Sequence, residues 1–124
     1  MPDDAAPEAT ASDAAAGALA YFAEMSPDLR GAAVLAADGS VIAATSRHEG
    51  RWREDAASLF EAADRAGGEP VEQIHIGTEQ GEVFAIRHRG LAAVAVTDRF
   101  ALASLTLFDL RSMLRELAPG PDEG

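Results

Sequence analysis

The chain has no cysteine, no lysine and no asparagine among its 124 residues, and it has one tryptophan and one tyrosine. Without cysteine it cannot form disulfides, use a thiolate nucleophile or build the common structural zinc sites. Without lysine it lacks the side chain for Schiff-base chemistry and for a phosphate-binding loop. These absences exclude several classes of enzyme and of nucleotide-binding protein.

Long apolar runs are also absent, because no stretch approaches the roughly 18 consecutive apolar residues that cross a membrane. The N-terminal segment begins with acidic residues, where a secretory signal would begin with basic ones. We therefore expect a cytoplasmic protein with no membrane insertion.

Positive charge is scarce, and the formal net charge is −11. Affinity for phosphate comes from lysine and arginine, so we expect neither nucleic acid nor an anionic membrane surface as the main partner. A protein with a basic surface is the better candidate for a partner.

The composition is that of one ordinary globular domain, with 48% hydrophobic and 25% charged residues. Residues 1–11 and 118–124 are rich in proline, alanine and acids and have no periodicity, so they are predicted to be disordered tails. Residues 12–117 are predicted to form the folded unit.

A first helix is predicted from Ser12, as N-cap, to the break at Ser26-Pro27. Its predicted buried stripe is Ala14, Ala18, Tyr21 and Met25, with Leu19 and Phe22 beside it. Two apolar runs follow at 31–37 and 41–45, and the Asp38-Gly39 pair between them is a strong signal for a β-hairpin.

A second helix is predicted from Arg51 to about Ala66, ended by Gly67-Gly68. Its apolar stripe is Trp52, Ala56, Leu59, Phe60 and Ala63. The runs VEQIHIG, EVFAIRH and LAAVAVT then predict three strands joined as a meander.

Side-chain alternation predicts the register of the first hairpin of that meander. A three-residue loop at 79–81, with Gly81 in the left-handed conformation, places Ile76 opposite Phe84 and Ile74 opposite Ile86.

In this register Glu72 could face His88 across the hairpin. Such a pair could bind a proton or a metal ion, but a solvated cross-strand pair is the more ordinary interpretation.

A last helix is predicted after Asp98, as its cap. One face holds Ala103, Leu107, Leu110, Leu114 and Leu117, and Leu102, Leu105, Phe108 and Met113 widen it.

Strands one and five are apolar on both faces, so both need cover above and below and belong in the middle of a sheet. The expected fold is therefore α/β (α+β): elements in the order αββαβββα and one antiparallel five-stranded sheet of order 2-1-5-4-3, with helices on both faces. Strand three is then an edge with no proline or lysine to protect it.

No serine-nucleophile motif, glycine-rich phosphate loop or convincing catalytic carboxylate pair is present. We expect no enzyme activity, no cofactor and no metal site. Two arginine clusters, at 47–53 and 87–89, are consistent either with a partner-binding patch or with plain solvation, since arginine serves every basic position in this chain.

The order of elements and several phrases resemble the Roadblock family, which includes the roadblock-type dynein light chains. The phrases are DLRGAAVLAADGSVIAATS, GEVFAIRHRGLAAVAVT and FALASLTLFDLRSMLREL, and the resemblance covers about residues 28–117. It implies a roadblock/profilin-like fold and a non-enzymatic module.

The resemblance further implies a homodimer in which strand three pairs with its symmetry mate and helix two packs on helix two. The implied dimer residues are Val71, Glu72, Gln73, Ile74 and His75. It also implies a small Ras-like GTPase as partner of a regulator or scaffold, with or without stimulation of GTP hydrolysis. The implied contact platform on helix two is Arg51, Trp52, Glu54, Asp55, Ser58, Glu61, Ala62 and Arg65, where Trp52 is also a candidate anchor on the sheet.

Three alternatives stay open at this point: a PAS-like small-molecule sensor, which shares the 2-1-5-4-3 sheet, a dimeric interaction module with a non-GTPase partner, and an enzyme built on scattered arginines and carboxylates.

Overall fold

The computed structural model describes residues 7–45 and 49–118, and within them three helices and five strands follow the predicted order. The elements are α1 (Pro7–Met25), β1 (Leu29–Leu35), β2 (Val41–Ala44), α2 (Glu49–Gly67), β3 (Gln73–Gly77), β4 (Glu82–His88), β5 (Leu91–Thr97) and α3 (Ala103–Leu117). Of the tails predicted to be disordered, 1–11 and 118–124, residues 1–6 and 119–124 lie outside the described residues, whereas 7–11 form the start of α1. No helix of the described part is long and apolar enough to cross a membrane.

The strands form one antiparallel sheet in the order β2-β1-β5-β4-β3, which confirms the predicted topology. The central segments 32–35 and 93–95 expose at most 4% of any residue. Their double-sided burial follows from their composition, since small and branched apolar side chains on both faces require cover on both.

Two hydrophobic clusters lie on opposite faces of the sheet. α1 and α3 cover the first face, where the larger buried side chains are Leu19, Phe22, Val34, Phe84, Ile86, Leu110, Met113 and Leu114. α2 covers the second face, where the buried residues are Ala33, Leu35, Ala56, Phe60, Ile74, Ala85 and Val94. The predicted α2 stripe is confirmed, with Trp52, Leu59 and Ala63 packed against this second cluster.

α1 differs from its prediction in both start and rotation. It begins at Pro7, so Ser12 is inside the helix and not its cap, and the Ser12 hydroxyl donates to the Ile42 carbonyl at 3.0 Å. The predicted buried stripe was wrong, because Tyr21 and Met25 are 66% and 59% exposed. The buried stripe is Ala15, Leu19 and Phe22, which places the large Leu and Phe side chains against the sheet.

The predicted β3–β4 register was wrong by one residue. His75 lies opposite Phe84 and Ile74 opposite Ala85, and the loop has four residues, 78–81. Thr78 closes it: its N–H and its hydroxyl both donate to the Gly81 carbonyl at 2.8 Å, and its hydroxyl oxygen accepts from the N–H of Gly81 at 3.1 Å. Gly81 has no positive φ, contrary to the prediction.

In the observed register, the buried apolar side chains of the β3–β4 hairpin lie on opposite faces of the sheet. Ile74 packs in the cluster under α2, and Phe84 packs in the cluster under α1 and α3. The predicted opposition of Glu72 and His88 was also wrong, since the Glu72 carbonyl accepts from Arg87 N–H and His88 pairs with Leu91.

α3 begins at Ala103, with Leu102 at the N-cap position and no side-chain cap. Asp98, the predicted cap, instead accepts from Arg30 at 2.6 Å. Leu110, Met113 and Leu114 are buried as predicted, but three side chains expected on the apolar face are more than half exposed: Leu102, Leu105 and Phe108.

Substitution of Gly77, the residue before the β3–β4 loop, and of Gly81, the last residue of that loop, should distinguish a backbone clash from a neutral change. A Cβ on Gly81 would meet the main-chain oxygen of Thr97, whereas a Cβ on Gly77 meets nothing within 4 Å. We expect G81A to lower the free energy of unfolding by about 1–3 kcal/mol and G77A to leave it unchanged or raise it slightly. Urea unfolding of both variants at one chain concentration measures this, and equal effects would contradict the close approach.

Candidate protein-interaction surface

The outer edge of β3 carries main-chain groups that no other strand pairs within residues 7–45 and 49–118. The Glu72 carbonyl and the Thr78 N–H are bonded toward β4, and hydrogen-bonded residues alternate along an antiparallel pair. The N–H and C=O groups of Gln73, His75 and Gly77 therefore point away from the sheet. Four of the five residues of β3 are exposed, and only Ile74 is buried.

The start of β3 is anchored from within the chain. The N–H of Val71 donates to Asp64 at 2.9 Å, and its carbonyl accepts from Arg87 at 3.0 Å. Val71 and Glu72 thus precede the strand, and the carbonyl groups of both already accept hydrogen bonds from Arg87. Gln73, Ile74 and His75 of the predicted set lie on the strand itself. Gly77, which extends the open edge, was absent from the predicted set.

An ion pair between α2 and β4 holds that anchor in position. The two terminal guanidinium nitrogens of Arg87, Nη1 and Nη2, each donate to one Asp64 carboxylate oxygen at 3.0 Å. The guanidinium carbon lies 4.1 Å from the centre of the Phe60 ring. Two parallel hydrogen bonds fix both the distance and the orientation of the pair. The hydrogen bond from Arg87, and then that from Val71, holds the pKa of Asp64 below its usual 3.8.

A second pair crosses the β3–β4 hairpin diagonally. His75 Nε2 lies 2.6 Å from a carboxylate oxygen of Glu82, and the His75 ring stacks on Phe84 with centroids 4.5 Å apart. The other Glu82 oxygen accepts from the N–H of Phe100 at 2.8 Å. The hydrogen bond to His75 is the main cause that lowers the pKa of Glu82. This carboxylate therefore links the edge strand to the segment between β5 and α3.

The outer side of α2 is exposed from Arg51 to Arg65, as predicted. The exposed residues of the predicted platform are Arg51, Glu54, Asp55, Ser58, Glu61, Ala62 and Arg65. Within this set Arg51 and Asp55 form an ion pair at 3.9 Å, and both side chains are more than two-thirds exposed. Trp52, by contrast, packs inward, and a Cβ on Gly31 would lie 3.2 Å from its ring. Trp52 is thus an anchor of α2 on the sheet.

A cleft of about 910 Å³ separates α2 from the β1–β2 and β4–β5 turns. Side chains of both charges line it, among them Arg53, Glu61 and Arg89. It is open to solvent, since all three of these residues are exposed.

Sequence reasoning missed the exposed apolar residues between β5 and the middle of α3. Phe100 is 83% exposed and has a positive φ of 67°, which a bulky side chain adopts rarely. The segment FALASLTLF could have signalled this, because it holds more large apolar residues than one helix face can bury.

Solved structures show which known fold this arrangement matches. A Roadblock/LC7 domain from Streptomyces avermitilis superposes with a TM-score of 0.71 at 18% identity, over 84% of this chain and 94% of that one. The gliding protein MglB from Thermus thermophilus gives 0.69 at 15% identity, over 92% and 93%. An MglB described with a tetrameric arrangement gives 0.68 at 15% identity, over 88% of each chain.

This chain has the Roadblock fold. A scan against models of protein families and a search of curated proteins found no match. In this Roadblock fold the open edge of β3 and the exposed side of α2 lie next to each other, because Asp64 and Arg87 tie the end of α2 to the start of β3.

The Asp64–Arg87 pair should make stability depend on pH in a defined direction. A carboxyl group whose pKa is lower in the folded than in the unfolded chain stabilises the fold at any pH above the unfolded pKa. This stabilisation is lost as the pH falls through the folded pKa. We expect D64N to lower the melting temperature at pH 7, and the difference from the parent to shrink as the pH falls below about 3.8. Thermal unfolding from pH 7 to pH 3 measures it.

D55N is the matched control, since Asp55 lies on the same helix in an exposed pair. Its melting temperature should follow the parent at every pH. A pH-independent deficit for D64N would show that the ion pair is not its source.

Proposed function

We propose that this protein is a non-enzymatic homodimeric regulator or scaffold that acts with a small Ras-like GTPase in the cytoplasm. The observation that carries the proposal is the open edge of β3 in a Roadblock fold. The GTPase partner is supported by the family resemblance of the sequence, and by the likeness in fold to a gliding protein, MglB.

Self-pairing of β3 uses the groups that this edge leaves free. With a two-fold axis at His75, two antiparallel copies of the strand overlap fully, and Gln73 of one copy lies opposite Gly77 of the other. Main-chain hydrogen bonds then continue the sheet across both copies. The edge has neither the proline nor the lysine that protects edges from such pairing.

Apolar side chains beside this edge support the same dimer. Ile76 is 40% exposed. Val83, its cross-strand neighbour on β4, is partly buried and packs against the cluster under α2. Both lie on the α2 face, where one helix covers a sheet of five strands. A second α2, brought in by the paired strand, would bury them.

The exposed side of α2 is the surface we assign to the GTPase. In the dimer, two copies of this side would lie together on one face of the joined sheet. Glu54, Asp55 and Glu61 lie there between an arginine at each end of the platform. This charged surface favours electrostatic recognition over simple apolar docking. Whether the protein stimulates hydrolysis or only tethers the GTPase is decided by measurement of GTP turnover.

A proline in β3 should prevent dimerisation without harm to the monomer. The N–H of residue 75 points outward, so proline there removes no hydrogen bond within the chain. We expect H75P to be a monomer at micromolar concentration by size exclusion with light scattering, and H75A to remain a dimer. Both variants lose the contact with Glu82, so H75A controls for that loss. A dimeric H75P would contradict the proposed interface.

An arginine on the exposed side of α2 should weaken GTPase binding. A62R adds bulk and charge to the centre of the proposed platform, and A20R makes the same change at an exposed position of α1. In a pull-down with the cell's Ras-like GTPases, loaded with each nucleotide in turn, we expect A62R to bind about tenfold more weakly than the parent and A20R to bind as the parent does. An intact dimer that binds no GTPase would favour the interaction module with another partner.

The PAS-like sensor is the weaker alternative. A small-molecule site is typically concave and lined mainly by apolar side chains. The cleft beside α2 is bordered by exposed side chains of both charges, such as Arg53 and Glu61. A ligand that copurifies with the protein would reverse this ranking.

A further inference from the structure

A second cleft lies between α1 and α3, on the face of the sheet opposite α2. Its volume is about 560 Å³. On the α1 side it is lined by small residues, Ala14, Gly17 and Ala18, and by the exposed Tyr21 and Met25. The α1 stripe that the sequence predicted to be buried is therefore the wall of an open cleft.

The apolar surface extends beyond the cleft along α3. Leu105, which is 51% exposed, lies one helical turn before the lining residue Asp109 and therefore on the same side of α3. Side chains of this size are usually left exposed together where another molecule covers them.

The rim of the cleft is acidic. Asp13 stands on the α1 side, and Asp109 and Glu116 stand on the α3 side. No basic residue is among the described residues that line the cleft. The nearby Arg111 is directed elsewhere, toward Gln73 at 2.8 Å.

This charge decides what can occupy the cleft. Both terminal segments of the chain are acidic, with Asp3 and Asp4 at one end and Asp122 and Glu123 at the other, so neither suits an acidic rim. A second copy placed symmetrically on the cleft would bring like charges together at its rim, which opposes association.

We propose that the cleft between α1 and α3 docks an amphipathic helix with arginine or lysine beside its apolar stripe, supplied by another protein. The lining residues of α1 run from Asp13 to Met25, a length of about 18 Å at the rise of an α-helix. Three to four turns of a partner helix would fit there, with apolar side chains on the small residues and basic side chains at the acidic rim. The site lies across the sheet from α2, so this partner would not compete with one bound to α2.

The test uses the full chain and three synthetic helical peptides of equal length. One has a leucine stripe flanked by arginine, the second has glutamate in place of arginine, and the third is a scramble of the first. Fluorescence anisotropy at low and high salt should show salt-sensitive binding of the leucine–arginine peptide alone. Amide hydrogen exchange should show protection in 13–25 and 109–117.

Two variants block the cleft in different ways. G17L fills it from a position where a Cβ meets nothing within 4 Å, and E116R reverses one rim charge at an exposed position. Each should weaken peptide binding about tenfold, while E69R, the same reversal at an exposed position between α2 and β3, should bind as the parent does.

Three results would overturn the proposal. They are no binding of the leucine–arginine peptide, equal binding by the parent and both cleft variants, and concentration-dependent protection of 13–25 without peptide. The last result would show that the chain covers this cleft with a second copy of itself.

Discussion

The burial of two adjacent strands on both faces is the constraint on which the rest of this structure depends. β1 and β5 pair along most of their length, and their central residues are almost entirely removed from water. Helices must therefore cover the sheet above and below, which accounts for α1 and α3 on one face and α2 on the other. The same constraint moves the more polar strands outward, so β3 becomes an edge.

Long-range polar contacts then decide how the outer elements sit on this frame. Arg87 joins β4 to the end of α2 through Asp64, and it also holds the main chain of Val71. Glu82 joins β3 to the segment before α3 through His75 and Phe100. Each carboxylate links three segments of the chain, so the position of the open edge depends on two partly buried ion pairs as well as on the core.

The sequence was sufficient for the element order, the strand order and the open edge, because these follow from the amount of apolar surface on each strand. It was not sufficient for the rotation of α1 about its axis. Alanine is compatible with a buried or an exposed position, so Ala14, Ala15 and Ala18 do not distinguish the predicted buried stripe from the observed one. The β3–β4 register failed for a different reason, because one threonine hydroxyl, that of Thr78, stabilises a four-residue loop.

The candidate surface was predictable to a similar degree. Exposure of the outer side of α2 follows from its charged residues, and the inward Trp52 follows from its place in the apolar stripe. The anchoring of Val71 by Asp64 and Arg87 involves residues 7 and 16 positions apart. No local pattern reveals such contacts, so only the structure shows that the usable edge begins at Gln73.

The two wrong expectations about α1 and α3 have one physical origin, which also bears on function. Both helices carry more apolar residues than their contact with the sheet can bury, so a stripe drawn through all of them includes side chains that face solvent. Tyr21, Met25 and Leu105 are such residues, and on the pattern alone they were assigned to the core. A core needs no acidic rim, whereas a docking cleft uses one to select its partner. The presence of Asp13, Asp109 and Glu116 beside these side chains therefore favours recognition over excess hydrophobicity as the reason for their exposure.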